Sequence, residues 1–101
     1  MAQKEMPEWL QILQEKAPEF TATYLSQRED IMKDGAIPAK YKFLMIMIVD
    51  AIMAHEQGCA GLANQARKAG ASEEEIKEAV EVAYLFGGTP ALVTAVNAFN
   101  K

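Results

Sequence analysis

Tyr41 to Ala54 reads YKFLMIMIVDAIMA, and Lys42 and Asp50 are its only charges. Pro38 stands just before it, and proline suits a helix start because its missing N–H would have no partner there. A helix over Ala39 to about Ala54 is therefore predicted. A helix that is apolar all round must be buried all round. In a chain of 101 residues, a single layer of neighbouring helices rarely encloses one helix completely. The remaining cover is expected from further copies of the chain. Four of the six methionines lie between Met32 and Met53 and add adaptable packing surface.

Working outward from this helix, the rest of the chain also punctuates as helices. Pro7 opens a short helix carrying Trp9, Leu10, Ile12 and Leu13. Pro18 either starts a second helix or kinks the first. Phe20, Tyr24 and Ile31 fall on one stripe beside Leu25 and Met32, at spacings of four and seven. Asp34-Gly35 is read as the end of that helix, with the glycine left-handed past the cap. C-terminal to the apolar helix comes HEQGCAGLANQARKAG, rich in small residues that allow close approach and stopped by Gly70. Ser72 and Glu75 form a capping box for the next helix, whose apolar face is Ile76, Val80, Ala83 and Tyr84. Gly87-Gly88 breaks it. Thr89 and Pro90 open a last helix, with Leu92, Val93, Val96 and Phe99 expected to face inward. No alternating segment of strand length occurs, so the fold class is all-α.

Composition narrows the function classes. The net charge is −4 and no basic run exceeds the pair Arg67-Lys68. Nucleic acid, which needs clustered Lys and Arg, is not an expected partner, and anionic membranes are disfavoured. The longest unbroken apolar run, Phe43 to Val49, falls far short of the roughly 20 residues of a membrane span. One cysteine allows no internal disulfide, and the start, Met1 to Glu5, is polar without an apolar signal core. A cytoplasmic protein of one domain over residues 1–101 is expected, with the first four residues loose.

Three segments in order carry a resemblance: MKDGAIPAK at 32–40, ARKAGASEEEI at 66–76 and YLFGGTPA at 84–91. Over Pro18 to Phe99 the chain resembles the carboxymuconolactone decarboxylase family, which includes the alkyl hydroperoxidase D-like proteins. The resemblance implies an alkyl hydroperoxidase D-like helical domain of about six helices. It also implies homo-oligomers, trimers or hexamers, formed through the buried central helix. Hydroperoxidase-type members carry Cys-x-x-Cys and a histidine four residues after the second cysteine. Counted back from Gly70, those places hold His55, Gly58 and Leu62, and the family glutamate twelve residues before the first cysteine falls on Phe43. Decarboxylase members have histidines where this chain has Leu62 and Val82. Neither set is complete.

The reactive candidates are therefore Cys59 and His55. Four residues apart on a continuous helix, they would share a face. A thiolate is the nucleophile in thiol chemistry, and a neighbouring imidazolium lowers a thiol's pKa. Peroxide would oxidise it to a sulfenic acid, to be resolved by an external thiol reductant or by Cys59 of another subunit. The bland alternative is that Cys59 is a small buried apolar residue. A closed zinc site needs about four ligands; His55, Glu56 and Cys59 supply at most three, so neither a metal nor another cofactor is expected. Asp50 should be paired, because an isolated buried carboxylate is costly, and a partner across subunits is expected. Tyr84 is read as a packed tyrosine and Glu73-Glu74-Glu75 as a helix start. The expected activity is a peroxiredoxin-type peroxide or thiol oxidoreductase at Cys59, supported by His55. The alternatives are a catalytically degenerate member that binds a small molecule or serves as an assembly, and, less favoured, a lactone decarboxylase.

Overall fold

The computed structural model describes residues 6–100, so the expectation of loose first residues lies outside what is described. The chain divides into two units, one up to Lys33 and one from Asp34 onward. Every described regular element is helical.

The first unit is a pair of packed helices, α1 (Glu8–Lys16) and α2 (Pro18–Met32). Ala17 leaves the helical region, with φ −143° and ψ 65°, and Pro18 takes the first position of α2. Pro18 thus starts a new helix rather than kinking an old one. The Trp9 ring meets Tyr24 edge-on, with centroids 6.1 Å apart. The predicted stripe on α2 is corrected. Phe20 and Ile31 are exposed, while Thr21 and Met32 are buried. Thr21 tolerates burial because its hydroxyl donates to the Ala17 carbonyl at 2.8 Å.

The second unit contains α3 (Ala39–Ile52), α4 (Glu56–Lys68), α5 (Glu73–Ala95) and a closing 3-10 turn, Val96–Phe99. Gly35 is not left-handed, as had been expected. Asp34 instead looks forward, its Oδ1 accepting from the Ala39 N–H at 2.7 Å and so capping α3. α3 packs along both α4 and α5. Only one side of it is covered: Leu44, Met47 and Ala51 are buried, whereas Tyr41, Met45, Val49 and Ile52 form an exposed stripe. The absence of a polar face in the sequence therefore reflects two different apolar faces.

α5 begins with the expected capping box. Ser72 Oγ accepts from Glu75 N–H at 3.0 Å, and Glu75 Oε1 accepts from Ser72 N–H at 2.8 Å. The same carboxylate takes Lys40 Nζ at 3.0 Å, which ties the start of α3 to the start of α5. The Ser72 N–H and the Lys40 ammonium hold Glu75 below the usual carboxylate range. Farther along, Gly88 breaks the helix with φ 72° and ψ −168°, two residues before Pro90. The inward face of the last segment is also corrected. Ala91, Thr94, Ala95 and Ala98 are buried, while Val93, Val96 and Phe99 are exposed. By length and composition Glu73–Phe99 could cross a membrane, but one third of its most apolar stretch is buried in the unit.

At Gly87 a Cβ would overlap that of Ala91 and come within 3.0 Å of Ile52 Cγ1. This glycine lets the kink of α5 sit against the end of α3. Gly87→Ala should lower stability by about 1–3 kcal/mol, the usual range for overpacking. Urea denaturation checks it; an unchanged midpoint would mean that α5 shifts freely along α3.

Candidate functional site

The stretch His55 to Cys59 begins where α3 turns into α4. Ala54 is the only described non-glycine residue with positive φ, at 64°. The Ala54 N–H reaches the Ala51 carbonyl at 3.3 Å, and the His55 N–H reaches the Asp50 carbonyl at 2.9 Å. This pair of bonds closes α3 as a Schellman motif, with alanine where glycine is usual. An L-residue held there costs about 1–2 kcal/mol. The motif brings residues five apart in sequence into register, and the side chains use it: His55 Nδ1 lies 2.9 Å from Asp50 Oδ1. Asp50 thus finds its partner within its own chain, which corrects the expectation of a partner across subunits.

Asp50 also leans over the first turn of α4. A Cβ on Gly58 would overlap Asp50 Oδ2, so the absence of a side chain at Gly58 makes room for the carboxylate. The first turn of a helix carries N–H groups without intrahelical partners and favours negative charge. Asp50 therefore lies where a capping side chain would act, and His55, the residue at the cap position, makes no side-chain cap bond of its own. The His55 side chain is 53% exposed and that of Asp50 is 23% exposed.

Cys59 lies one turn on, its N–H bonded to the His55 carbonyl at 2.9 Å. The thiol points the other way, into the core. It has no solvent exposure, and Sγ faces the Ala95 carbonyl at 3.8 Å. Burial, followed by the Asp50 charge, pushes the thiol pKa up. The sequence spacing had suggested a thiol activated by His55; the structure gives His55 to Asp50 and surrounds Cys59 with Ala63, Ala66, Ala95 and other core residues. Among the described residues, no three His, Cys, Asp or Glu side chains gather as a metal ligand set.

Arg67 proved more structural than its type suggested, and Tyr84 less so. Arg67, half of the densest basic pair, forks onto Glu73 at 2.7 and 3.0 Å and also donates to Asn64 Oδ1 and the Ala98 carbonyl. It staples α4 to the start of α5 and to the closing turn. Tyr84, read as a packed tyrosine, is about half exposed.

Comparison with known proteins agrees with this helical arrangement. The carboxymuconolactone decarboxylase family model matches residues 18–101. The chain belongs to the carboxymuconolactone decarboxylase family. A crystal structure of a Burkholderia xenovorans protein assigned to that decarboxylase by name is similar, with a TM-score of 0.80 and 32% identity. The match covers 92% of this chain and 76% of that one. An uncharacterised protein of Methanocaldococcus jannaschii is 24% identical over 97% of this chain and 92% of its own length.

The buried thiol has a pH consequence. A cysteine whose folded pKa is raised keeps its proton while the unfolded chain loses it, above about pH 8.5. The unfolded state then binds fewer protons, so stability falls as pH rises through that value. Cys59→Ala should remove this part of the alkaline decline. Unfolding free energies of both proteins between pH 7 and 10 check it, and parallel curves would mean that the folded thiol ionises normally.

Proposed function

We propose that the protein works as a homo-oligomer, a trimer or a hexamer, and handles a small molecule beside His55 without using the Cys59 thiol. One observation carries the second half of this reading: the thiol is fully enclosed and its environment favours the protonated form. Thiolate chemistry needs the opposite setting, partly exposed and electropositive. The exposed stripe Tyr41, Met45, Val49 and Ile52 on α3, with Val82, Leu85 and Phe86 on α5, supports the first half. Contiguous exposed apolar surface usually marks a contact surface. A single thiol kept reduced supports a cytoplasmic setting.

The peroxide or thiol oxidoreductase reading ranks second. In its favour is the one-turn spacing of His55 and Cys59, joined by a backbone hydrogen bond. It requires Cys59 to become accessible and an external thiol to resolve the sulfenic acid. A lactone decarboxylation like that in the family name gains nothing from Leu62 and Val82.

Two measurements test the proposal. Val49→Asp, on the exposed stripe, should shift sedimentation from oligomer to a smaller species while far-ultraviolet circular dichroism stays helical. Met47→Asp should unfold the chain outright, because Met47 lies in the unit's own core and an unpaired carboxylate there is strongly unfavourable. A wild-type protein sedimenting only as a folded monomer would rule out the assembly. Separately, an aromatic disulfide reagent should leave native Cys59 unlabelled for hours and label the denatured chain at once. Native labelling within minutes, with an apparent pKa below about 8.5, would hand the site back to thiol chemistry.

A further inference from the structure

We infer that each copy of the chain uses its α1–α2 pair to cover the apolar patch formed by α3 and α5 on the next copy. This deepens the assembly reading above and rests on it. The first unit ends at Lys33. It is shorter than the roughly 40 residues below which a fold usually needs a disulfide, a metal or a partner. Its buried residues are few: Leu10, Thr21 and Met32. Phe20, Tyr24 and Ile31 follow one another at spacings of four and seven along one side of α2. The Trp9 ring of α1 meets Tyr24. One apolar face therefore runs across both helices, and Trp9, Phe20 and Ile31 are each more than half exposed on it. α2 also lies inside the segment that the family model matches, which begins at Pro18, so this face belongs to the domain and is no appended tail.

The second unit offers a surface of fitting size. A Cβ on Gly87 would come within 3.0 Å of Ile52 Cγ1, so the exposed stripe of α3 runs on to the kink of α5, where Leu85 and Phe86 stand. Phe86 is 91% exposed. Between Val82 and Phe99 the chain carries no Lys, Arg, Asp or Glu, and loss of charge is the mark of an interface core. At about 150–250 Å² for a large side chain, the exposed parts of Tyr41, Met45, Val49, Ile52, Leu85 and Phe86 come to roughly 700 Å². A stable interface takes about 800 Å² from each partner, and the largest patch on an ordinary monomer is about 300–600 Å².

Symmetry decides how the two surfaces are used. A patch that pairs with itself closes as a dimer, whereas a ring of three needs two different surfaces that meet head to tail. The chain carries two such surfaces, one on each unit. Passing the α1–α2 face of one copy to the α3–α5 patch of the next covers both and leaves no apolar end once the ring closes.

The test reads assembly on the full chain. Phe20→Asp and Ile31→Asp, both at exposed positions, should each shift sedimentation from the oligomer to a smaller species while far-ultraviolet circular dichroism stays helical. Ser26→Asp, on the far side of α2, should leave the oligomer intact. An unchanged oligomer with both apolar-face variants, or dissociation by Ser26→Asp as well, overturns the inference. A cross-linking experiment needs no variant that weakens the contact. Phe20→Cys and Val49→Cys chains, each also carrying Cys59→Ala, are co-expressed and treated with a flexible bismaleimide. Links joining position 20 of one chain to position 49 of the other should dominate the peptide map. Links between like positions only, or no mixed links, overturn the exchange. A wild-type protein that is monomeric removes the assembly reading itself, whereas an oligomer without mixed links leaves that reading standing and removes this one alone.

Discussion

The second unit is organised by close approach between small side chains. Cys59, Ala63 and Ala66 on α4 share one buried cluster with Ala79 and Ala83 on α5, with Ala95 near its end and with Ala98 in the closing turn. None of these side chains can fill a wide gap, so the backbones must lie near each other. Close-packed interiors have little tolerance for voids. Ile76 and Val80 take the larger spaces of this cluster, and where alanines close the interior the neighbouring bulky residues face outward. Val82, Leu85 and Phe86, and beyond the kink Val93, Val96 and Phe99, are exposed for this reason. The alanine seam thus determines both the inside of the unit and the apolar character of its outside.

That constraint explains where sequence reasoning succeeded and where it did not. Features set by neighbouring residues were legible: Pro18 as a helix start, the Ser72–Glu75 box, Gly70 as a stop and the break at Gly87-Gly88. Each depends on a local backbone rule. The first part of α5 was legible, with Ile76, Val80 and Ala83 buried as expected; the facing beyond Gly88 was not, because reading large apolar residues as inward assumes a core made of large residues. The central helix was placed nearly to its ends, from Ala39 to Ile52. Periodicity could not separate its two apolar faces, since Leu44, Met47 and Ala51 differ little in character from Met45, Val49 and Ile52.

The candidate site was half legible. Its two residue types drew attention to His55 and Cys59, but their roles depended on a junction with no glycine to announce it. A Schellman closure is normally signalled by glycine, as at Gly70, where the Ala71 N–H reaches the Ala66 carbonyl at 2.9 Å. At Ala54 the same closure occurs silently. Without it, Asp50 and His55 are five residues apart and look unrelated. The one hint was Gly58, an unneeded glycine in a first helical turn, whose meaning becomes visible only when the Asp50 carboxylate is found beside it.

Asp50 links the two chemistries that this stretch could support and acts on them in opposite directions. Its charge adds to burial in raising the Cys59 pKa, which opposes formation of a thiolate. Its Oδ1 holds the His55 ring, and a carboxylate partner on one imidazole nitrogen fixes the tautomer and the orientation of the ring. A nucleophilic thiol would be better served by a neutral or basic residue at this position. An imidazole base is served by an acid. The carboxylate cannot be moved away from the thiol without leaving the imidazole, because the Schellman junction and the Gly58 gap fix its place relative to both. The geometry that makes His55 the stronger candidate is therefore the same geometry that makes Cys59 the weaker one.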